Sequence, residues 1–126
     1  MIPGKYNILI VRGGTFNIGI TAKSDGASSK FDQYTSMRMQ IRPPWSLADG
    51  EPVPEPLLEL TTENGRLSVN ATGDAVIMAL TADETTALTF TDGQYDLELV
   101  TEVLGEPVVV DKILYGLVTV MGEVTV

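Results

Sequence analysis

Carboxylates are the abundant reactive groups of this chain. Asp92, Asp96 and Glu98 lie close together in sequence, and Asp83 and Glu84 adjoin. Paired carboxylates can hydrolyse a glycoside, but only when they face each other across the sugar. Asp96 and Glu98 alternate along one face of an extended segment. That places them side by side, where carboxylates are ordinarily solvated. "TDGQYD" (Thr91–Asp96) has an Asp-x-x-x-Asp spacing around a glycine, as part of a calcium loop would. It lacks the remaining ligand series and the closing glutamate, and a turn opening a strand explains the same residues. "RGGTFNIG" is glycine-rich like a phosphate loop, yet it has no Gly-Lys-Ser/Thr ending and no helix after it. A bulged or turning first strand accounts for it.

The chain has no cysteine and no histidine. Thiol nucleophiles, disulfides and cysteine zinc sites are excluded, and the commonest general base is missing. The expectation is therefore no catalytic residue, no metal ligand and no cofactor. Two positions remain as binding candidates. Arg38 and Arg42 share one face of "RMQIR" and form either a small basic patch or cross-strand pairs with Glu59 or Glu98. Trp45, the chain's one tryptophan, lies in a proline-rich segment. It is either an interface anchor on a stiff loop or a cover for the edge of its own core.

The elements that must position these residues follow a period of two. "YNILIV" (Tyr6–Val11) reads as a first strand, interrupted by Gly13-Gly14. "TFNIGITA" follows, with Phe16, Ile18 and Ile20 on one face. In "YTSMRMQIR", Met37, Met39 and Ile41 face one way and Ser36, Arg38, Gln40 and Arg42 the other, as a sheet with one wet face requires. The stretch from Arg42 to Pro56 holds five prolines. It cannot be an interior strand and should be a long exposed loop with polyproline II character. "LLELTTENGRLSV" has alternating runs around Asn64-Gly65, a hairpin signal. "GDAVIMAL" places Val76, Met78 and Leu80 inward. Thr81-x-x-Glu84 is a capping box, predicting a short helix or 3₁₀ turn near residues 82–88. "QYDLELVTEV" presents Tyr95, Leu97 and Leu99 on one face. "LGEP" turns the chain into "VVVDKILYGLVTVMGEVTV", which is apolar on both faces around Ile113–Val120. Such a strand is central in its sheet or capped by a partner.

About eight short strands with frequent turn signals predict an all-β, immunoglobulin-like antiparallel sandwich. At 126 residues the chain fits a single domain, 1–126, with the proline-rich loop at 42–56. The formal net charge is −9, from 17 Asp and Glu against 8 Lys and Arg. This argues against binding nucleic acid or an anionic membrane. The first residues do not have a signal peptide's pattern, and no segment approaches the roughly 18 apolar residues that a spanning helix requires. The expectation is a soluble protein made in the cytoplasm.

The order of these segments carries a resemblance. A "G-x-T-F" strand leads to "RMQIR", then "LLELTTENGRLSV", "LTADETTAL", "GQYDLELV" and a closing "GLVTV". Over roughly residues 6 to 121 this series resembles small structural proteins of tailed bacteriophages and prophages. It is especially similar to the immunoglobulin-like N-terminal domain of phage baseplate upper proteins. The loop at 43–56 departs from that pattern in its length and its proline content.

The resemblance implies a non-enzymatic virion part, in the tail tip or baseplate, or alternatively in the neck or as head decoration. It implies other phage structural proteins as partners, self-association, and final location in the virion. No functional residue transfers with it. The partner-binding candidates are Trp45 together with Tyr115 and Leu117 of the terminal strand. A second reading is a small module for carbohydrate or a cell-surface ligand, built on Trp45 with Tyr34 and Tyr95. A third is an acidic host-interaction protein, although the carboxylates are spread along the chain.

Overall fold

The computed structural model describes residues 4–21, 23, 24, 27, 28, 30, 31, 33–44 and 52–122. Trp45 and the rest of segment 45–51 lie outside the described residues.

Among the described residues, eleven strand segments and one short helix succeed one another: β1 Gly4–Lys5, β2 Ile8–Val11, β3 Phe16–Thr21, β4 Lys23–Ser24, β5 Ala27–Ser28, β6 Ser36–Arg42, β7 Leu58–Thr61, β8 Leu67–Val69, β9 Ala75–Leu80, α1 Ala82–Thr86, β10 Asp92–Thr101 and β11 Val109–Met121. The larger sheet has the order β1-β11-β10-β6-β7, with β2 also paired to β11. The smaller sheet has the order β3-β9-β8, and β4-β5 form a separate ribbon. The two main sheets share one apolar core. The protein is thus an all-β sandwich, and its strand order is that of an immunoglobulin-like fold. The first strands join the last one, and the central strands β10 and β6 lie between it and the edge strand β7. The helix falls at the crossover from the small sheet to the large one.

The alternation in each strand produces this packing. Met37, Met39 and Ile41 are buried opposite Leu99, Leu97 and Tyr95. Phe16, Ile18 and Ile20 pair with Leu80, Met78 and Val76 in the other sheet. Truncating a fully buried member such as Leu97 to alanine would cost about 2–5 kcal/mol. In α1 the Thr81 hydroxyl accepts from the Glu84 amide at 3.1 Å, and the Glu84 carboxylate accepts from the Thr81 amide at 2.9 Å. The capping box forms as its spacing predicts. The buried Thr85 hydroxyl accepts from the Gly13 amide at 3.1 Å and donates to the Gly14 carbonyl at 2.8 Å. Arg12 donates to the carbonyls of Leu88 and Phe90, both at 2.8 Å. The Gly13-Gly14 interruption is therefore a turn locked onto the helical crossover, with Gly13 at φ 85°.

Two local expectations are corrected. Asn64-Gly65 does not close a hairpin. β7 pairs with β6 and β8 pairs with β9, so the turn carries the chain from one sheet to the other. The Asn64 side-chain oxygen accepts from the amides of Thr61 and Arg66, both at 3.0 Å, and its amide donates to the Glu59 carbonyl at 3.0 Å. These bonds tighten the reversal without requiring the flanking strands to pair. The first strand is also broken in two. Between β1 and β2, Tyr6 and Asn7 leave the ladder, and the Asn7 side-chain oxygen accepts the Leu117 amide at 3.1 Å in place of a backbone partner.

Candidate functional site

The terminal strand β11 is the spine of the larger sheet. It pairs antiparallel with β10 along one side and parallel with β1 and β2 along the other. From Leu114 onward its backbone is flanked on both sides within the chain, and the question moves to its side chains. A bulge shifts the register between Leu97 and Glu98: Leu97 pairs with Leu114, Glu98 with Lys112, and Ile113 is the extra residue. Ile113 and Leu114 are both buried in consequence, and the alternation beyond them is re-phased. Gly116, Val118 and Val120 then face inward, while Tyr115, Leu117, Thr119 and Met121 face outward.

Register assembles the outer face row by row. One row runs Glu59, Gln40, Asp96, Tyr115, Lys5 across five strands. The next runs Arg42, Gln94, Leu117. On the other side lies Thr61, Arg38, Glu98, Lys112. Except for Glu59, Thr61 and Arg38, these rows line an open groove of ≈ 600 Å³, to which Val53 contributes from the proline-rich loop. Tyr115 is 44% exposed and Leu117 51% exposed, and both line the groove. The two β11 candidates are thus brought together. Leu9, Val11 and Met121 extend the exposed apolar surface along the neighbouring β2 edge.

Four charges on this face form a paired network. Lys112 lies 2.8 Å from Asp96 and 3.5 Å from Glu98, and Arg38 lies 2.9 Å from Glu98. Asp96, by hydrogen bond and charge, and then Glu98 hold the Lys112 ammonium above its usual pKa, against a smaller opposing effect of burial. Arg42 donates to the Gln40 side-chain oxygen at 2.5 Å and to the Pro54 carbonyl, which ties the groove's rim to the loop. Arg38 is therefore a cross-strand partner of Glu98, one of the two pairings the sequence suggests, and Arg42 holds the loop instead. Tyr34 donates to Asp111 at 3.3 Å, and Tyr95 turns inward. Burial, then the nearby acidic side chain, raises the Tyr34 phenol pKa. Among the described residues, no three carboxylates gather as a calcium site needs. Asp96 and Glu98 sit in ion pairs. The groove has the makings of a contact surface, apolar in the middle and charged at the rim.

A second exposed apolar cluster escaped the sequence reading. The loop joining β10 to β11 exposes Val103, Leu104 and Val108, and the strand entry adds Val109 and Val110. Leu104 is 102% exposed, as open as a side chain can be. The available signal was the run "EVLGEPVVV", where a turn that is normally polar carries apolar residues instead.

No family model matches the chain, and no curated protein does. Among solved structures, the chain is similar to the extracellular domain of the voltage-gated sodium channel beta4 subunit. The two share 11% identity with a TM-score of 0.43, over 98% of this chain and 97% of that one. That domain is described as forming parallel homodimers that explain its role in cell–cell adhesion.

Proposed function

We propose that this protein is a non-enzymatic structural or adaptor part of a tailed-phage or prophage virion, in the tail tip or baseplate. It acts through protein–protein contacts, with itself and with other virion proteins. The observation that carries the contact reading is the surface of β11 and its loop. Exposed apolar side chains concentrate there on a chain of formal charge −9. Solvent-facing apolar clusters of this kind mark interaction sites. The virion assignment rests on the order of segments, which resembles phage immunoglobulin-like modules, and on Glu84 serving a helix cap while Asp96 and Glu98 lie in ion pairs.

Mass spectrometry of purified particles, followed by electron microscopy with this protein labelled, tests the reading. Its presence at fixed stoichiometry in the tail supports it. Its absence from particles of a producing strain overturns it.

The groove favours a second reading, a carbohydrate-binding module. Tyr115 offers a face for a sugar ring, and Gln40, Gln94 and Asp96 offer hydrogen bonds beside it. Glycan-array binding that disappears in Tyr115→Ala would support this reading, and an array without signal would remove it.

A further inference from the structure

The groove and the loop tip are complementary. The tip is apolar at Val103, Leu104 and Val108 and is flanked by Glu102 and Glu106. The groove is apolar at Tyr115, Leu117 and Val53, and its rim carries Lys5, Arg42 and Lys112 against Asp96 and Glu98, a balance of one positive charge with Lys112 held by both carboxylates. At ≈ 600 Å³ it has the size of sites that take several side chains. The tip keeps a defined shape, because Gly105 adopts φ 84° and the Glu106 amide donates to the Val103 carbonyl at 3.0 Å. The tip cannot reach its own groove. β10 and β11 remain paired out to Thr101 and Val109, which holds the loop at the far end of the same ribbon.

We propose that the β10–β11 tip of one copy docks into the outer-face groove of another copy. This rests on the reading above that the protein works by self-association, and it names the two surfaces that meet. Copies with a formal charge of −9 repel on average. A contact that sets the tip's Glu102 and Glu106 beside the groove's Lys5 and Arg42, the rim cations not engaged by Asp96 and Glu98, offsets that repulsion locally. The two surfaces differ, and where the contact is not reciprocated within one pair it is heterologous. Each copy keeps one tip and one groove to offer, which builds a ring where the rotation closes and a filament where it does not.

Light scattering on the full chain, with two exposed-site variants, tests this. Leu104→Asp spoils the tip and Leu117→Asp spoils the groove, and circular dichroism confirms that both stay folded. The wild type should grow beyond one chain mass as concentration rises, and each variant alone should stay at one. An equimolar mixture should reach the mass of two chains and stop, because it holds one intact tip and one intact groove. Three outcomes overturn the proposal: a wild type that stays monomeric throughout, a variant that assembles like wild type, or a mixture that stays monomeric. The virion reading fails separately, by absence from particles, whatever the scattering shows.

Discussion

The Tyr95 phenol donates to the main-chain carbonyl of Tyr6 at 2.6 Å. A buried aromatic on a central strand thereby holds the place where the first strand breaks. The same carbonyl lies over the bare α-carbon of Gly116, and a Cβ built there would come within 2.1 Å of it. The Tyr6 amide, in turn, donates to the Tyr115 carbonyl at 2.9 Å. The break between β1 and β2 is thus held from three residues of the neighbouring ribbon.

Tyr95→Phe should lower stability by about 1–3 kcal/mol, because the Tyr6 carbonyl loses its partner while remaining enclosed. Urea denaturation monitored by circular dichroism measures this. A midpoint equal to wild type would show that the hydroxyl contributes nothing.

Alkali should unfold the wild type sooner than this variant's intrinsic loss of stability suggests. Burial, and secondarily the neighbouring Tyr6 phenol, raise the Tyr95 pKa above the ordinary tyrosine value of 10.0. The folded state therefore keeps a proton that the unfolded chain releases. The contribution is full below pH 10 and is lost as pH rises above it, at about 1.4 kcal/mol per unit for one proton. Denaturation series through this range should show a slope shallower by one proton in Tyr95→Phe. Equal slopes would refute the assignment.

Gly116→Ala should cost about 1–3 kcal/mol, since backbone rather than a flexible side chain occupies the space. Gly19→Ala is the matched control. A Cβ there meets nothing within 4 Å, so that change should be neutral or slightly stabilising. Thermal melts of both variants separate a packing requirement from a general intolerance of alanine in these strands.

The helix cap predicts acid behaviour. The Thr81 amide first, and the Arg66 guanidinium at 2.5 Å after it, hold the Glu84 carboxyl below its usual range, with partial burial opposing them. Its contribution is present above the ordinary glutamate value of 4.5 and is lost as pH falls below it. Thr81→Ala should cost about 0.5–2 kcal/mol at neutral pH. Glu84→Gln should cost less, because the amide oxygen still caps, and its deficit should shrink on acidification. A deficit that persists in acid would contradict the charge-based account.

Much of the sandwich was legible because single strands carry their own pattern. Met37, Met39 and Ile41 must face a core whichever strand lies beside them, and Thr81 with Glu84 caps a helix using local atoms alone. Partner choice was not legible. Leu58 and Leu60, and likewise Leu67 and Val69, bury themselves equally well in one sheet or in two. Asn64-Gly65 dictates a reversal and leaves the destination of the chain open. The outer face was half legible. Tyr115 and Leu117 stood out as surplus apolar residues, but their exposure depends on the bulge at Ile113, which only the pairing with β10 creates. Gln40 and Arg42 entered the groove through cross-strand register, which has no signature within a single strand.

The seat of β11 between the hairpin and the first strands also sets a schedule. Residues 4–11 have no sheet to join until residues 109–121 exist. A growing chain on the ribosome therefore carries an unsealed core until residues 109–121 have been made. The face bearing Tyr115 and Leu117 appears only with β11, so copies cannot begin to join through it before that strand has formed. We predict that chains ending before Val109 give no cooperative melt, whereas chains ending just after Gly122 melt as the full protein does. A cooperative melt in the shorter chains would show that the sheets close without their final strand.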